Sequence, residues 1–343
     1  MNSLPSLALS NTGASAFRRL GVALTNDHHS VRTGQACLAN EALIVQSTYI
    51  EEITAWGIGY ANAADNRLRV LRDFLAPGRP GTSRTIRLTQ YDETEPWFTV
   101  DNQKIKRSVL GDFMEVRQRT AIKVDRLIFN RGLCVTLDLD ELKDKPHWQQ
   151  THTQWLIDLL MRATVLEAIA IYQAAATVLN VTWDAASNPD LDIKTELIAL
   201  ANVTGFKPSR AVFGDTASLK RQQAYEQQLT AGSLAHSQMM TDEEIAVACG
   251  LGEVLTDAER YQSTTTAKSE IVGSNVYVFT AFPDESPEDA SNVVRHVANA
   301  SYGGGEYAVY LTPIGVKKVV LTVENYELLA TQHTTGIAQL SIR

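Results

Sequence analysis

Asp138, Asp140, Glu141 and Asp144 put four carboxylates within seven residues, and oxygens so close together could hold a hard cation or share acid and base roles. Asp138 and Asp140 alternate with Leu137 and Leu139, which places both on the solvent face of a strand, and no calcium-loop pattern surrounds them. The pair His147 and His152 is five apart and His28 and His29 are adjacent; neither matches the helical HExxH spacing that sets two imidazoles on one zinc. Gly303-Gly304-Gly305 is followed by Glu306-Tyr307 instead of the Lys-Ser/Thr of a phosphate-cradling loop, so a turn between strands is expected. Cys37, Cys134 and Cys249 are far apart, odd in number and match no zinc spacing, which predicts free, buried thiols. With no GxSxG elbow and no GxGxxG after a strand, an active site would have to be assembled from scattered residues. Neither a metal nor a cofactor is expected.

The composition places the chain among globular proteins. It has 343 residues, 44% hydrophobic and 20% charged, enough for a substantial core divided into subdomains. No apolar run reaches the length a bilayer requires. Met1-Asn2-Ser3-Leu4-Pro5 lacks the basic start and apolar core of a secretory signal, so folding in a cytoplasm is expected. The net charge of −8 is unevenly placed: residues 66–131 hold 14 Lys and Arg against 8 Asp and Glu, and the remainder 17 against 31. A basic segment beside an acidic body suits contacts between copies of one chain.

The elements that would carry these residues follow from periodicity and breaks. Residues 1–38 suggest an extended arm with a short helix near 16–24, and 40–53 a short helix that ends before Trp56-Gly57-Ile58-Gly59. Pro77-Gly78-Arg79-Pro80-Gly81 marks a loop before the alternating Thr85-Ile86-Arg87-Leu88-Thr89. Strands over about 84–91 and 121–139 then bracket a charged stretch with too little apolar surface for its own core, a projecting hairpin that needs a neighbour to lie on. After Asp144-Lys145-Pro146 a nearly uncharged helix runs from about Trp148 to Leu179, on the order of 45 Å at about 1.5 Å per residue. A helix from about 192 to 203 stopped by Gly205, a buried strand at 210–214, helices near 216–229 and 241–249 and strands near 252–261 and 275–281 form a small α/β subdomain. Strands at 307–310 and 316–323 are expected to rejoin the earlier sheet.

Several pieces of this pattern occur in a telling order: Gly111-Asp112-Phe113-Met114-Glu115-Val116, then Asn130-Arg131-Gly132-Leu133 running into Asp138-Leu139-Asp140-Glu141-Leu142, then the long helix. Trp183-Asp184 with Asn188-Pro189-Asp190-Leu191-Asp192, and Lys207-Pro208-Ser209-Arg210-Ala211-Val212-Phe213-Gly214, complete the set. Together they resemble tailed-bacteriophage major capsid proteins of the Hong Kong 97-like fold. That resemblance implies an α+β fold with an N-terminal arm and short helix (1–55), a peripheral domain (56–83, 122–195 and return strands 311–343) that holds the spine helix at about 148–179, an extended β-hairpin loop (84–121) and an α/β axial domain (196–310).

The implied activity is self-assembly, as pentamers and hexamers, into an icosahedral viral head around double-stranded DNA bound without sequence specificity. The implied partners are other copies of the chain, with scaffolding, portal and decoration proteins beside them, and no membrane. The implied location is the virion capsid, assembled in the host cytoplasm, and no enzymatic turnover is implied. Trp97, Phe98, Lys104, Lys106, Arg107, Phe113, Arg117 and Arg119, all in the hairpin, are the candidate inter-subunit contacts. Lys104 and Lys106 have no marked Asn or carboxylate partner, so covalent crosslinking is not expected. Two alternatives stand beside this reading: an encapsulin-like compartment, and a soluble α/β enzyme with a non-contiguous site in 196–310.

Overall fold

The computed structural model describes residues 48–81, 83–91, 121–228, 240–282, 291–299 and 305–343. In chain order the elements begin with β1 (Thr48–Tyr49), α1 (Glu51–Ala61), α2 (Arg67–Leu75), β2 (Gly78–Gly81), β3 (Thr85–Tyr91), β4 (Ala121–Leu127), β5 (Phe129–Asp138) and α3 (Leu139–Leu142). The spine helix α4 (Trp148–Ala175) leads to β6 (Thr177–Val181), α5 (Pro189–Thr204), β7 (Arg210–Gly214), α6 (Asp215–Glu226), α7 (Asp242–Cys249) and β8 (Glu253–Asp257). Then come β9 (Arg260–Gln262), β10 (Lys268–Glu270), β11 (Asn275–Phe279), β12 (Val293–Ala298), β13 (Tyr307–Ile314), β14 (Lys318–Thr331) and β15 (Ala338–Ile342). They divide into two compact units, one holding the described parts of 1–63, 130–160 and 299–326, the other those of 64–129, 161–298 and 327–343.

In the first unit β1 and β14 flank β13, antiparallel to it, with Thr48 opposite Leu311 and Tyr307 opposite Asn325, and β5 joins β14. The β13–β14 turn uses Gly315 at φ 64, a left-handed conformation that favours glycine. Asn130 donates to Glu324 at 2.9 Å and Tyr310 donates to the same carboxylate at 2.8 Å. A Cβ at Gly132 would lie 3.1 Å from the carbonyl oxygen of Val323, so the Asn-Arg-Gly sequence marks a close approach of strands.

Helix α1 runs straight through Trp56-Gly57-Ile58-Gly59, where the sequence pattern predicted a break. Gly57 is there because the helix packs closely on α4: a Cβ would meet Ile157 at 3.2 Å and Thr153 at 3.3 Å. The Tyr60 hydroxyl donates to Asp158 at 2.9 Å, and Val309 N–H donates to the buried Thr54 hydroxyl at 3.1 Å. This contact half-buries Asp158.

The second unit is built on a five-stranded sheet in the order β6-β15-β11-β7-β8, parallel at β6–β15 and β7–β8 and antiparallel elsewhere. Alternate residues point to opposite faces. Ala211, Phe213, Val276, Val278 and Leu340 pack under α5, α6 and α7. Val212, Tyr277 and Phe279 pack with Leu71 and Leu75 of α2 and Val165, Ile169 and Tyr172 of α4. Because both faces are covered, β7 reads as an unbroken apolar run.

Tyr172 donates to Leu75 O at 2.6 Å, and burial drives its hydroxyl pKa well above the ordinary tyrosine value. Asn188 caps α5 through Leu191 N–H, Pro189 fills its first turn, and Gly205 ends it at φ 77. Behind that cap Arg221 forms two hydrogen bonds with Asp190, at 2.8 and 3.0 Å, both side chains being almost fully buried. Gly214 closes β7 against another turn, and a Cβ there would fall on the carbonyl oxygen of Gly273.

Two further expectations give way. The spine helix ends at Ala175, not near Leu179, because residues 177–181 form β6 against the C-terminal strand, Thr177 lying opposite Ala338. Of the cysteines, Cys249 is free and buried whereas Cys134 is disulfide-bonded, so three free thiols are not found.

Candidate assembly surface

Strands β3 and β4 pair antiparallel over their whole length, from Thr85 opposite Leu127 to Tyr91 opposite Ala121. This is the two-stranded ribbon expected to carry the hairpin, and among the described residues neither strand joins any other sheet. Its root is anchored where Ile128 N–H donates to Arg84 O at 2.7 Å and where Ile128 is buried, and Leu88, midway along β3, is buried as well.

Arg87 and Asp125, directly opposite in register, form a two-pronged pair at 2.7 and 3.3 Å. The Arg87 hydrogen bond holds the Asp125 carboxyl below its ordinary pKa, and both groups are open to water. The apolar side chains are more telling: Ile122 and Leu127 of β4 are 60% and 54% exposed, and Phe129, the first residue of β5, is 60% exposed. Ile122 and Leu127, five residues apart on one strand, point to opposite faces of the ribbon, so both faces leave an apolar side chain open to water.

The eight contact residues proposed from sequence, Trp97, Phe98, Lys104, Lys106, Arg107, Phe113, Arg117 and Arg119, all lie in 92–120, outside the described residues. Ile122, Leu127 and Phe129 were not singled out; alternation marks a strand but does not tell which of its faces stays uncovered.

Two of the four carboxylates of 138–144, Asp138 and Asp140, have structural partners. Asp138 is the N-cap of α3, its side chain accepting from Asp140 N–H at 2.9 Å, which replaces the expected solvated strand face. Asp140 pairs with Lys317 at 2.6 Å. His152 Nδ1 lies 2.7 Å from Trp148 O, one helical turn away. Among the described residues no group of three or more His, Cys, Asp and Glu is placed to hold a metal ion.

Within 196–310 the perturbed groups have plain causes. Burial, reinforced by the charges of Glu259 and Glu270, pushes the Asp257 carboxyl up to about 6. Burial and the Arg79 charge push His296 down to about 4. Asp257 borders a cavity of about 360 Å³ whose wall includes Asp65, Arg67, Leu71 and Glu259. Its Oδ1 accepts from Glu259 N–H at 2.9 Å and its Oδ2 is shielded from solvent, so the carboxylate anchors the turn after β8.

Neither a protein-family model nor a curated protein matches the sequence. Among solved structures, a phage-related protein from Bordetella bronchiseptica RB50 aligns with a TM-score of 0.59 at 14% identity, over 85% of this chain and 97% of its own. A Microbacterium phage Oxtober96 protein aligns with a TM-score of 0.48 at 11% identity, over 78% and 90%. A virus-like particle protein from Pyrococcus furiosus aligns with a TM-score of 0.46 at 12% identity, over 84% and 98%. The fold assignment rests on the first of these. A 28-residue spine helix, a sheet covered on both faces and a hairpin ladder that, among the described residues, joins no larger sheet thus belong to one chain, whose fold is the α+β Hong Kong 97-like fold shared with the Bordetella phage-related protein.

Proposed function

We propose that the protein is the shell-forming subunit of a phage-type head, a major capsid protein that assembles as pentamers and hexamers around double-stranded DNA. The observation that carries this reading is the β3–β4 ribbon, which exposes Ile122 and Leu127 and pairs with no other strand among the described residues. A two-stranded ribbon is marginal in water. Laid on neighbouring subunits it would bury that apolar surface at about 25 cal/mol per Å², less the cost of ordering it. Many such modest contacts, each closing a ring or shell, add through their effective concentration. The fold shared with a phage-related protein supports the same reading.

In this reading 84–121 is the extended loop, 196–310 the axial part, and scaffolding, portal and decoration proteins are further partners in the host cytoplasm. No catalytic turnover is part of it. Negative-stain microscopy and analytical ultracentrifugation of the purified chain test it. Capsomer rings or closed particles are expected, and a monomer under every assembly condition overturns the proposal. Nucleic acid inside native particles is expected of a viral head; protein cargo in its place would assign the shell to an encapsulin-like compartment.

A further inference from the structure

The sheet of the second unit has two edges, and they are finished differently. At the β8 edge, Asp242 accepts from Thr256 N–H at 3.0 Å and from its hydroxyl at 2.7 Å, and α7 packs beside the strand. That edge is closed by a side chain of its own chain. At the opposite edge β6 pairs with β15 alone among the described residues.

In the parallel register Thr177 N–H donates to Ile337 O and Val181 O accepts from Arg343 N–H, so residues 177, 179 and 181 bond to β15. The backbone groups of Val178 and Asn180 therefore point away from the sheet. The strand is Thr-Val-Leu-Asn-Val, with no charge, proline or bulge, and Val178 is 52% exposed. Such an edge is a template for another strand unless something covers it.

We propose that this edge is the docking site for residues 6–10 of a second copy of the chain, added as a sixth strand. Ser6-Leu7-Ala8-Leu9-Ser10 alternates apolar and small residues with the period of a strand, and residues 1–17 carry no charged side chain, matching the uncharged edge. It is also as long as β6, five residues. The 37 residues between Ser10 and Thr48 could extend up to about 120 Å, enough to reach a neighbouring subunit. Binding to a second copy rests on the shell reading; the strand addition itself rests on the edge.

Amide hydrogen exchange of the full-length assembled protein tests it. Val178 and Asn180 are expected to be protected by a factor of about 100, and the double variant Leu7→Pro, Leu9→Pro to lose that protection. The Thr177 amide, bonded to Ile337, reports on the fold and is expected to stay unchanged. Co-assembly with excess wild-type chain is expected to restore protection on the variant's own β6. An exposed edge in the wild type, protection that survives both prolines, or failure of the wild type to restore it each overturns the inference. Particles that form with an exposed β6 would sink this inference and leave the shell reading standing.

Discussion

Two sheets in the second unit show opposite ways of stabilising a strand. In the five-stranded sheet Val212, Phe213, Val276 and Val278 are completely buried between two helical layers, and the backbone ladder is one contribution among many. In the β3–β4 ribbon the ladder joins only two strands, Leu88 is buried, and the apolar side chains of Ile122 and Leu127 face water. The first sheet is stable by its own packing; the second has its hydrogen bonds in place while Ile122 and Leu127 stay open to water. In the proposed shell, folding and associating would be tasks of different sheets.

Mutations should break that comparison in order of depth. Phe213→Ala, in the sheet, is expected to cost about 3 to 5 kcal/mol by opening a cavity, measured by urea denaturation. Arg221→Met strands the buried Asp190 carboxylate and should cost about 3 kcal/mol by the same measurement.

Asp257, at the end of β8, sharpens the contrast through pH. Its folded pKa of about 6 lies above the ordinary value of 3.8, so the unfolded chain ionises first as pH rises. Its contribution is therefore fully present below about pH 4, falls between pH 4 and 6, and stays low above. Asp257→Asn should raise stability at pH 7 by about 1 to 2 kcal/mol, a gain that vanishes toward pH 4 in denaturation series.

The ribbon should behave in reverse. Ile122→Asp with Leu127→Asp is expected to change subunit stability by no more than about 0.5 kcal/mol, yet to abolish particles in the ultracentrifuge. Normal assembly of that double variant would remove the ribbon from the interface.

Much of the scaffold was legible because local chemistry and global packing agree. Asn188-Pro189 and Gly205 bracket α5 by capping, and the apolar run at 211–213 announces a strand buried on both faces. Where the two disagree, local reading fails. Gly57 looks like a breaker yet serves a close helix contact, and Thr177-Val178-Leu179 continues an apolar run until pairing with residues 338–340, far along the chain, makes it a strand. Asp138 alternates like a strand residue but caps α3, a role set by the backbone turning after it. Of the assembly surface, the root of the hairpin was legible from its alternation. The exposed apolar side chains on it were not, because exposure depends on what the rest of the molecule leaves uncovered.

Gly214 carries a consequence of another kind. Since a first side-chain carbon there would coincide with the backbone oxygen of Gly273, size, polarity and charge of a replacement are all irrelevant. In saturation mutagenesis the nineteen alternatives should fail alike, from alanine to tryptophan. A second-site revertant would have to shift the 271–273 backbone, since trimming a neighbouring side chain would give no relief.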